Sequence, residues 1–162
     1  ALQFLGGIAL RVDGREVSVP DTLVYKASML SGVPNMAFTF GYTNSSWTLR
    51  ADLVAEYVCR LLRHMERHGF RSAVPVPDDP GMERTRLVSL SSGYIDRALP
   101  LLPGSGRRSP WRLGSNYLTD VVLLRHRTID DGLLRFDRPA PARPGGSGAG
   151  AGAGTGSGVR SA

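Results

Sequence analysis

The clearest periodicity in the chain lies between residues 46 and 68. Leu49, Leu53, Tyr57, Leu61 and Met65 recur every four residues, and Val54, Val58 and Leu62 widen the stripe. That spacing predicts one long amphipathic helix with a single core-facing side. Asn44, Ser45 and Ser46 offer N-cap side chains ahead of it, and Gly69 offers a stop behind it. Cys59, among apolar neighbours on this helix, reads as a small core residue.

Before the helix the pattern is β-like. Residues 8–12 and 16–19 flank Asp13-Gly14, a hairpin signal. Residues 22–30 form a third extended candidate. Residues 35–41, aromatic and apolar, form a fourth, entered through Val33-Pro34. Behind the helix, residues 71–90 are rich in proline and charge and read as a surface excursion. Residues 92–102 predict a short helix capped by Ser91 or Ser92, with Pro100 a poor fit to its interior. Residues 111–124 are partly helical in pattern, and 128–136 suggest a turn and a last extended piece. From about Pro139 the Gly, Ala and Pro content predicts a flexible low-complexity tail.

Composition narrows the function classes. Apolar residues make up 41% of the 162 positions, enough for a core in the first 137 or so. The net charge of +6 raises the question of a nucleic-acid partner. Of the 20 basic residues, however, only Lys26 is a lysine. The arginines are scattered among Asp and Glu instead of lining one stripe, so no nucleic acid is expected. The single cysteine rules out a disulfide within the chain and fits a reducing, cytoplasmic setting. No apolar run approaches the ~20 residues of a membrane span. The first residues, without an initiator Met or a secretory leader, read as lying inside a longer protein.

The most informative unit runs from Met29 to about Met65: an extended segment, a tight polar turn, then the long helix. A helix start presents unpaired N–H groups and the positive end of its dipole, which favour an electron-rich group. The N1–C2 carbonyl edge of a reduced flavin is such a group. On periodicity alone, an ordinary capped helix packed on a sheet is the better account of the pattern. Other apparent motifs carry less. His64 and His68 sit four apart, but Glu66 occupies neither slot that a zinc protease requires, so no metal site is expected. Asn44-Ser45-Ser46 matches a glycosylation sequon, read here as chance combined with capping. Arg107-Arg108 reads as a solvated pair, and His126 has no evident partner. No glycine-rich turn fit for a dinucleotide is present.

The string MLSGVPNMAFTFGYTNSSWTLRADLVAEYVCRLL, residues 29–62, closely resembles a segment of flavin-dependent Baeyer–Villiger monooxygenases. The closest likeness is to the bacterial subgroup that activates thioamide prodrugs such as ethionamide. The resemblance continues through Gly69-Phe70, GYIDRALPLLPGSG, SPWRLGSNY and IDDGLLRF, covering nearly all of residues 5–136. It implies an α/β chain that is the C-terminal fragment of a FAD/NAD(P)-binding three-layer fold. Residues 1–70 would close the FAD-binding domain, 71–137 would form a C-terminal extension, and 138–162 a disordered tail. Segment 35–41 would be the last strand of the FAD domain, and the helix after it would point its N-terminus at the isoalloxazine. By that likeness Tyr42, Thr43, Asn44, Ser45, Ser46, Trp47 and Thr48 lie near the flavin, with Asn44, Ser46, Trp47 and Thr48 foremost. Trp47 would shield the ring, line the substrate pocket or anchor the helix.

The activity implied is that of a FAD- and NADPH-dependent monooxygenase acting through a C4a-peroxyflavin on O2 and a ketone, sulfide or thioamide. The glycine-rich motifs for both cofactors, the family fingerprint and the arginine that supports the peroxyflavin lie upstream in such enzymes. No residue here inherits a catalytic role. The missing N-terminal part of the same enzyme would be the partner, and the chain alone would be inactive. A non-catalytic binding remnant, or the product of an interrupted frame, is the other reading. Two positions depart from the family pattern: Pro100 in an expected helix, and Gly104 where a lysine is expected.

Overall fold

The structure, a computed structural model, describes residues 4–42, 45–87 and 93–139. The expected tail lies outside them from residue 140, as do Thr43, Asn44 and the caps Ser91 and Ser92.

The Asp13-Gly14 hairpin forms, but it is short. Strand β1 (Arg11–Val12) pairs antiparallel with β2 (Arg15–Glu16). Asp13 and Gly14 both take positive φ, at 50° and 79°, the geometry a tight hairpin needs. One more backbone bond, Val17 N–H to the Leu10 carbonyl at 2.9 Å, extends it. Residues Val19–Asp21 turn into a 3-10 helix around Pro20 and do not continue a strand.

The single strand expected over 22–30 is instead a second hairpin. Strand β3 (Val24–Tyr25) folds back onto β4 (Met29–Leu30). Lys26 and Ala27 sit at φ 48° and 53° in the turn between them, without a glycine or asparagine to favour it. The expected strand over 35–41 does not form. Burial does alternate, with Met36, Phe38 and Phe40 half-buried and Ala37 and Thr39 exposed. Yet the segment makes only two backbone bonds, Asn35 N–H to the Ala73 carbonyl at 3.1 Å and Phe38 N–H to the Ser28 carbonyl at 2.8 Å. It carries strand periodicity without a ladder to a neighbouring strand among the described residues.

The long helix α1 spans Trp47–His68 and stops at Gly69, in the left-handed region at φ 66°. Its buried face is Arg50, Leu53, Val54, Tyr57 and Leu61. Three expectations on this helix are corrected. Cys59 is exposed, because two residues beyond Tyr57 lies about 200° around the helix. Leu62 and Leu49 are also largely exposed, and a charged residue, Arg50, takes the buried place in the first turns.

Residues 71–90 are not wholly a surface excursion. Strand β5 (Ser72–Pro75) buries Ala73 and Pro75 and pairs antiparallel with the last strand. Strand β6 (Arg84–Thr85) follows. Helix α2 covers Gly93–Ala98 and yields to a 3-10 turn, Leu99–Leu101, that accommodates Pro100. Strand β7 (Ser105–Gly106) pairs with β6. Residues 111–116 are not helical. Helix α3 (Tyr117–Val121) starts at Asn116, whose side chain accepts from the amides of Leu118 and Thr119, and continues as a π-helical turn over Val122–His126. The expected final extended piece is β8 (Leu134–Asp137), in register with β5 from Ser72↔Asp137 to Pro75↔Leu134.

The chain is thus a mixture of helices and small sheets. Each sheet has two antiparallel strands, and no three-layer arrangement is present among the described residues. Two apolar clusters hold it together. One joins Tyr25, Leu53, Tyr57, Leu61, Trp111 and Leu124 around α1. The other gathers Val24, Leu30, Val33, Leu87 and Leu102, with Met36, Phe38 and Phe40 against it. A polar staple supports the second. The Arg84 guanidinium donates to the carbonyls of Pro20, Asp21 and Thr22 and lies over Gly104, where a Cβ would come within 3.0 Å of Arg84 Nε. No helix among the described residues is long and apolar enough to cross a membrane.

Candidate functional site

The turn into α1 is fixed by a charged residue that the apolar periodicity did not single out. Arg50, 1% exposed, lies one turn into the helix and reaches back to the segment that enters it. Its Nη1 donates to the carbonyls of Phe40 at 3.3 Å and Gly41 at 3.2 Å. Its Nε and Nη2 donate to Asp120 Oδ2 at 3.0 and 2.8 Å, and Nη2 also donates to the Gly114 carbonyl. Asp120, on α3, is buried as well. The same Oδ2 accepts from the Tyr42 hydroxyl at 2.7 Å, and the guanidinium carbon stands 3.8 Å from the centre of the Tyr42 ring. A buried charge is tolerated only when paired and hydrogen-bonded, and here both conditions are met. Burial, followed by the bond to Asp120, pushes the Tyr42 hydroxyl pKa up to about 12, so it remains a donor at neutral pH.

Of the expected site residues, Tyr42 is buried in this cluster, and Ser45, Ser46, Trp47 and Thr48 are exposed beside it. Thr43 and Asn44 lie outside the described residues. Ser46 is the N-cap residue but makes no side-chain cap bond; its hydroxyl pairs with that of Thr48 at 2.7 Å. No carboxylate stands in the first turn of α1. Trp47 is 60% exposed, yet one edge is firmly seated. A Cβ on Gly41 would fall 2.1 Å from Trp47 Cδ2, so only glycine fits beneath the indole, and Phe40 lies 6.0 Å away, centre to centre. Trp47 is therefore not a core anchor. It is a surface ring resting on the backbone that Arg50 holds.

This end of α1 combines amides at a helix start, exposed hydroxyls and an open aromatic face, with no negative charge in its first turn. Such a donor set suits the carbonyl edge of a flavin. Two shallow depressions lie elsewhere: one along Val12–Val17, and a second of about 330 Å³ between Asn35, Arg71, Ser72 and Asp137. Neither is lined by residues 42–48.

A second buried cation lies deeper. Lys26, also 1% exposed, places Nζ 2.9 Å from Asp131 Oδ2, off the axis of a good hydrogen bond, and 5.0 Å from the ring centres of both Tyr25 and Tyr57. Tyr25 donates to the same Asp131 oxygen at 2.6 Å. Burial lowers the Lys26 pKa, with Asp131 opposing it, and burial raises those of Tyr25 and Tyr57.

The other motifs resolve plainly. His64 and His68 stack at 4.3 Å and continue into Phe70 and Phe136. No group of three or more metal-ligating side chains occurs among the described residues. Arg107 and Arg108 pair with Glu83 and Asp78 at the surface.

The chain is similar to the FAD-containing monooxygenase EthA of Mycobacterium tuberculosis, with 50% identity over 141 residues that make up 86% of this chain and 29% of that protein. It is 44% identical over 137 residues to EthA of Mycolicibacterium smegmatis, covering 85% of this chain and 28% of the relative. It is 43% identical over 138 residues to the probable FAD-binding monooxygenase AlmA of Acinetobacter baylyi, again 85% and 28%. The chain spans under a third of the length of the curated relatives it matches. No protein-family model and no solved structure matches it.

Proposed function

We propose, from the premise that this chain is kin to the FAD-containing monooxygenases, that it is the C-terminal part of such an enzyme and supplies one wall of its flavin site. Residues 1–70 complete the FAD-binding domain of a three-layer FAD/NAD(P) fold, and residues 71–137 form an extension packed on it. The half-buried alternation of Met36, Phe38 and Phe40 without a paired strand supports this, because it is the pattern of a strand whose sheet lies in the rest of the protein. The observation that carries the proposal is the 50% identity to EthA across 86% of the chain.

The residues that would face the flavin are Tyr42, Thr43, Asn44, Ser45, Ser46, Trp47 and Thr48. FAD, reduced by NADPH, supplies the oxygen-transfer chemistry, with O2 as co-substrate and a ketone, sulfide or thioamide as acceptor, in the manner of a Baeyer–Villiger enzyme. This chain's part is to bind and orient. The α1 amides and the hydroxyls of Ser45, Ser46 and Thr48 offer hydrogen bonds to the pyrimidine edge, and the open face of Trp47 covers ring or substrate from water. The setting is cytoplasmic.

The test is a chimera in which this chain replaces the matching 141 residues of EthA. The isolated chain is expected to show no flavin absorbance and no NADPH oxidation. The chimera is expected to purify yellow and to couple NADPH oxidation to O2 uptake. A folded chimera that holds no FAD would reject the proposal in favour of a non-catalytic remnant.

A further inference from the structure

We infer that Arg50, Asp120 and Tyr42 form a positioning device that sets the geometry of the turn into α1, and through Gly41 sets the seat of Trp47. The inference rests on the functional reading above, since it assigns these residues a role in presenting the flavin-facing wall. Arg50 and Asp120 act through the backbone; Tyr42 borders the flavin wall by its main chain, while its hydroxyl is turned inward to Asp120.

A guanidinium has five N–H donors in a rigid fork. Arg50 makes five hydrogen bonds: two to Asp120 Oδ2 and one each to the carbonyls of Phe40, Gly41 and Gly114. No donor is left over. Three of the five go to main-chain carbonyls, and two of those belong to the residues immediately before the turn. Such bonds fix where a backbone points, which apolar packing does less well. The residue is fastened at both ends, since Asp120 Oδ2 also takes the Tyr42 hydroxyl and the Tyr42 ring lies against the guanidinium. The three side chains span the entering segment, the helix and α3.

From the ion pair a chain of contacts runs outward. Arg50 holds the Gly41 carbonyl, and Gly41 is the floor beneath Trp47, with no room for even a methyl group. A shift of the 40–41 backbone must therefore move the indole. Trp47 then turns its remaining face to the open side of the molecule. A purely structural role would leave unexplained why a desolvated ion pair stands where apolar residues of similar volume stabilise as well or better. A positioning role explains it, because misplacement of a binding wall by about 1 Å costs far more in function than in stability.

The experiment uses the EthA chimera carrying Arg50→Met with Asp120→Leu, Arg50→Lys alone, or Tyr42→Phe alone. Melting, the FAD dissociation constant and the visible absorption band of bound flavin are read for each. The Met/Leu pair is expected to melt cooperatively, bind FAD about tenfold more weakly and shift the flavin band. Arg50→Lys keeps the charge but loses the fork, and should recover only part of the affinity and none of the original band position. If the pair does not fold, Tyr42→Phe decides: it removes one hydroxyl and should weaken FAD by about threefold, with a band shift in the same direction. Cooperatively melting variants with unchanged affinity and band would overturn the device while leaving the functional reading standing. An unsubstituted chimera without FAD would overturn both.

Discussion

Two cations are buried among the described residues, each beside tyrosine and each opposite an aspartate from the C-terminal half. Arg50 and Lys26 are equally inaccessible, but only Arg50 is fully satisfied. Its planar fork spreads five bonds over one carboxylate oxygen and three carbonyls. Lys26 has a point charge that one carboxylate oxygen meets at a poor angle, with two aromatic faces supplying the rest. The difference teaches that burial of charge has two uses here. Arg50 organises backbone at the end of the helix that bears the proposed site. Lys26 joins side chains only, and it carries a desolvation cost that its partners offset in part.

The comparison breaks most readily at Asp120. Asp120→Ala strands the arginine, and chemical denaturation should register a loss of about 3–5 kcal/mol. Gly41→Ala tests the same region by overpacking: the methyl must displace Trp47, and a destabilisation of about 1–3 kcal/mol with a red-shifted tryptophan emission is expected. Lys26→Met should cost less than Asp120→Ala, about 1 kcal/mol, because the Asp131 left behind is partly exposed and keeps the Tyr25 hydroxyl. A loss as large as that of Asp120→Ala would erase the distinction between the two cations.

Alkaline titration sharpens it further. Burial depresses the folded-state Lys26 pKa below its ordinary 10.5, so between those two values the unfolded chain binds the extra proton. Stability should therefore rise as pH climbs through that window. Tyr25, Tyr57 and Tyr42 are shifted upward from 10.0, so above pH 10 the folded state holds more protons and stability should fall again. Melting curves of Lys26→Met should lose the rise and keep the fall. The smallest effect belongs to the surface: Glu56→Gln breaks an exposed pair with Arg125, and the melting temperature should not move measurably.

Much of the scaffold was legible from spacing. The Asp13-Gly14 turn, the span of α1 with its glycine stop, and the last strand follow from local signals that tertiary structure did not override. The failures have physical causes. Lys26 and Ala27 carry no turn signature; at this turn the Lys26 ammonium meets Asp131 and the Tyr57 ring, both distant in sequence. Segment 35–41 has the composition of a strand but, among the described residues, forms no ladder with a neighbour. Ser72–Pro75 was hidden by Pro75 and the nearby Pro77, although Ala73 and Pro75 alternate with Ser72 and Val74 as a half-buried strand should. At the candidate site, the resemblance reached Tyr42 and the surface residues 45–48 but not Arg50 and Asp120, which hold the turn. Arg50 belongs to no motif, and its partner stands 70 residues away. A charge on the predicted apolar face, one turn into the helix, was the available signal.

Gly104 offers a last lesson about how a fold can tie one position to another. The space a side chain there would enter is already taken by the head group of Arg84, which gathers three successive carbonyls of the 20–22 turn. A side chain at 104 would press on that head group and on Leu23, so the packing of position 104 and the seat of Arg84 are coupled.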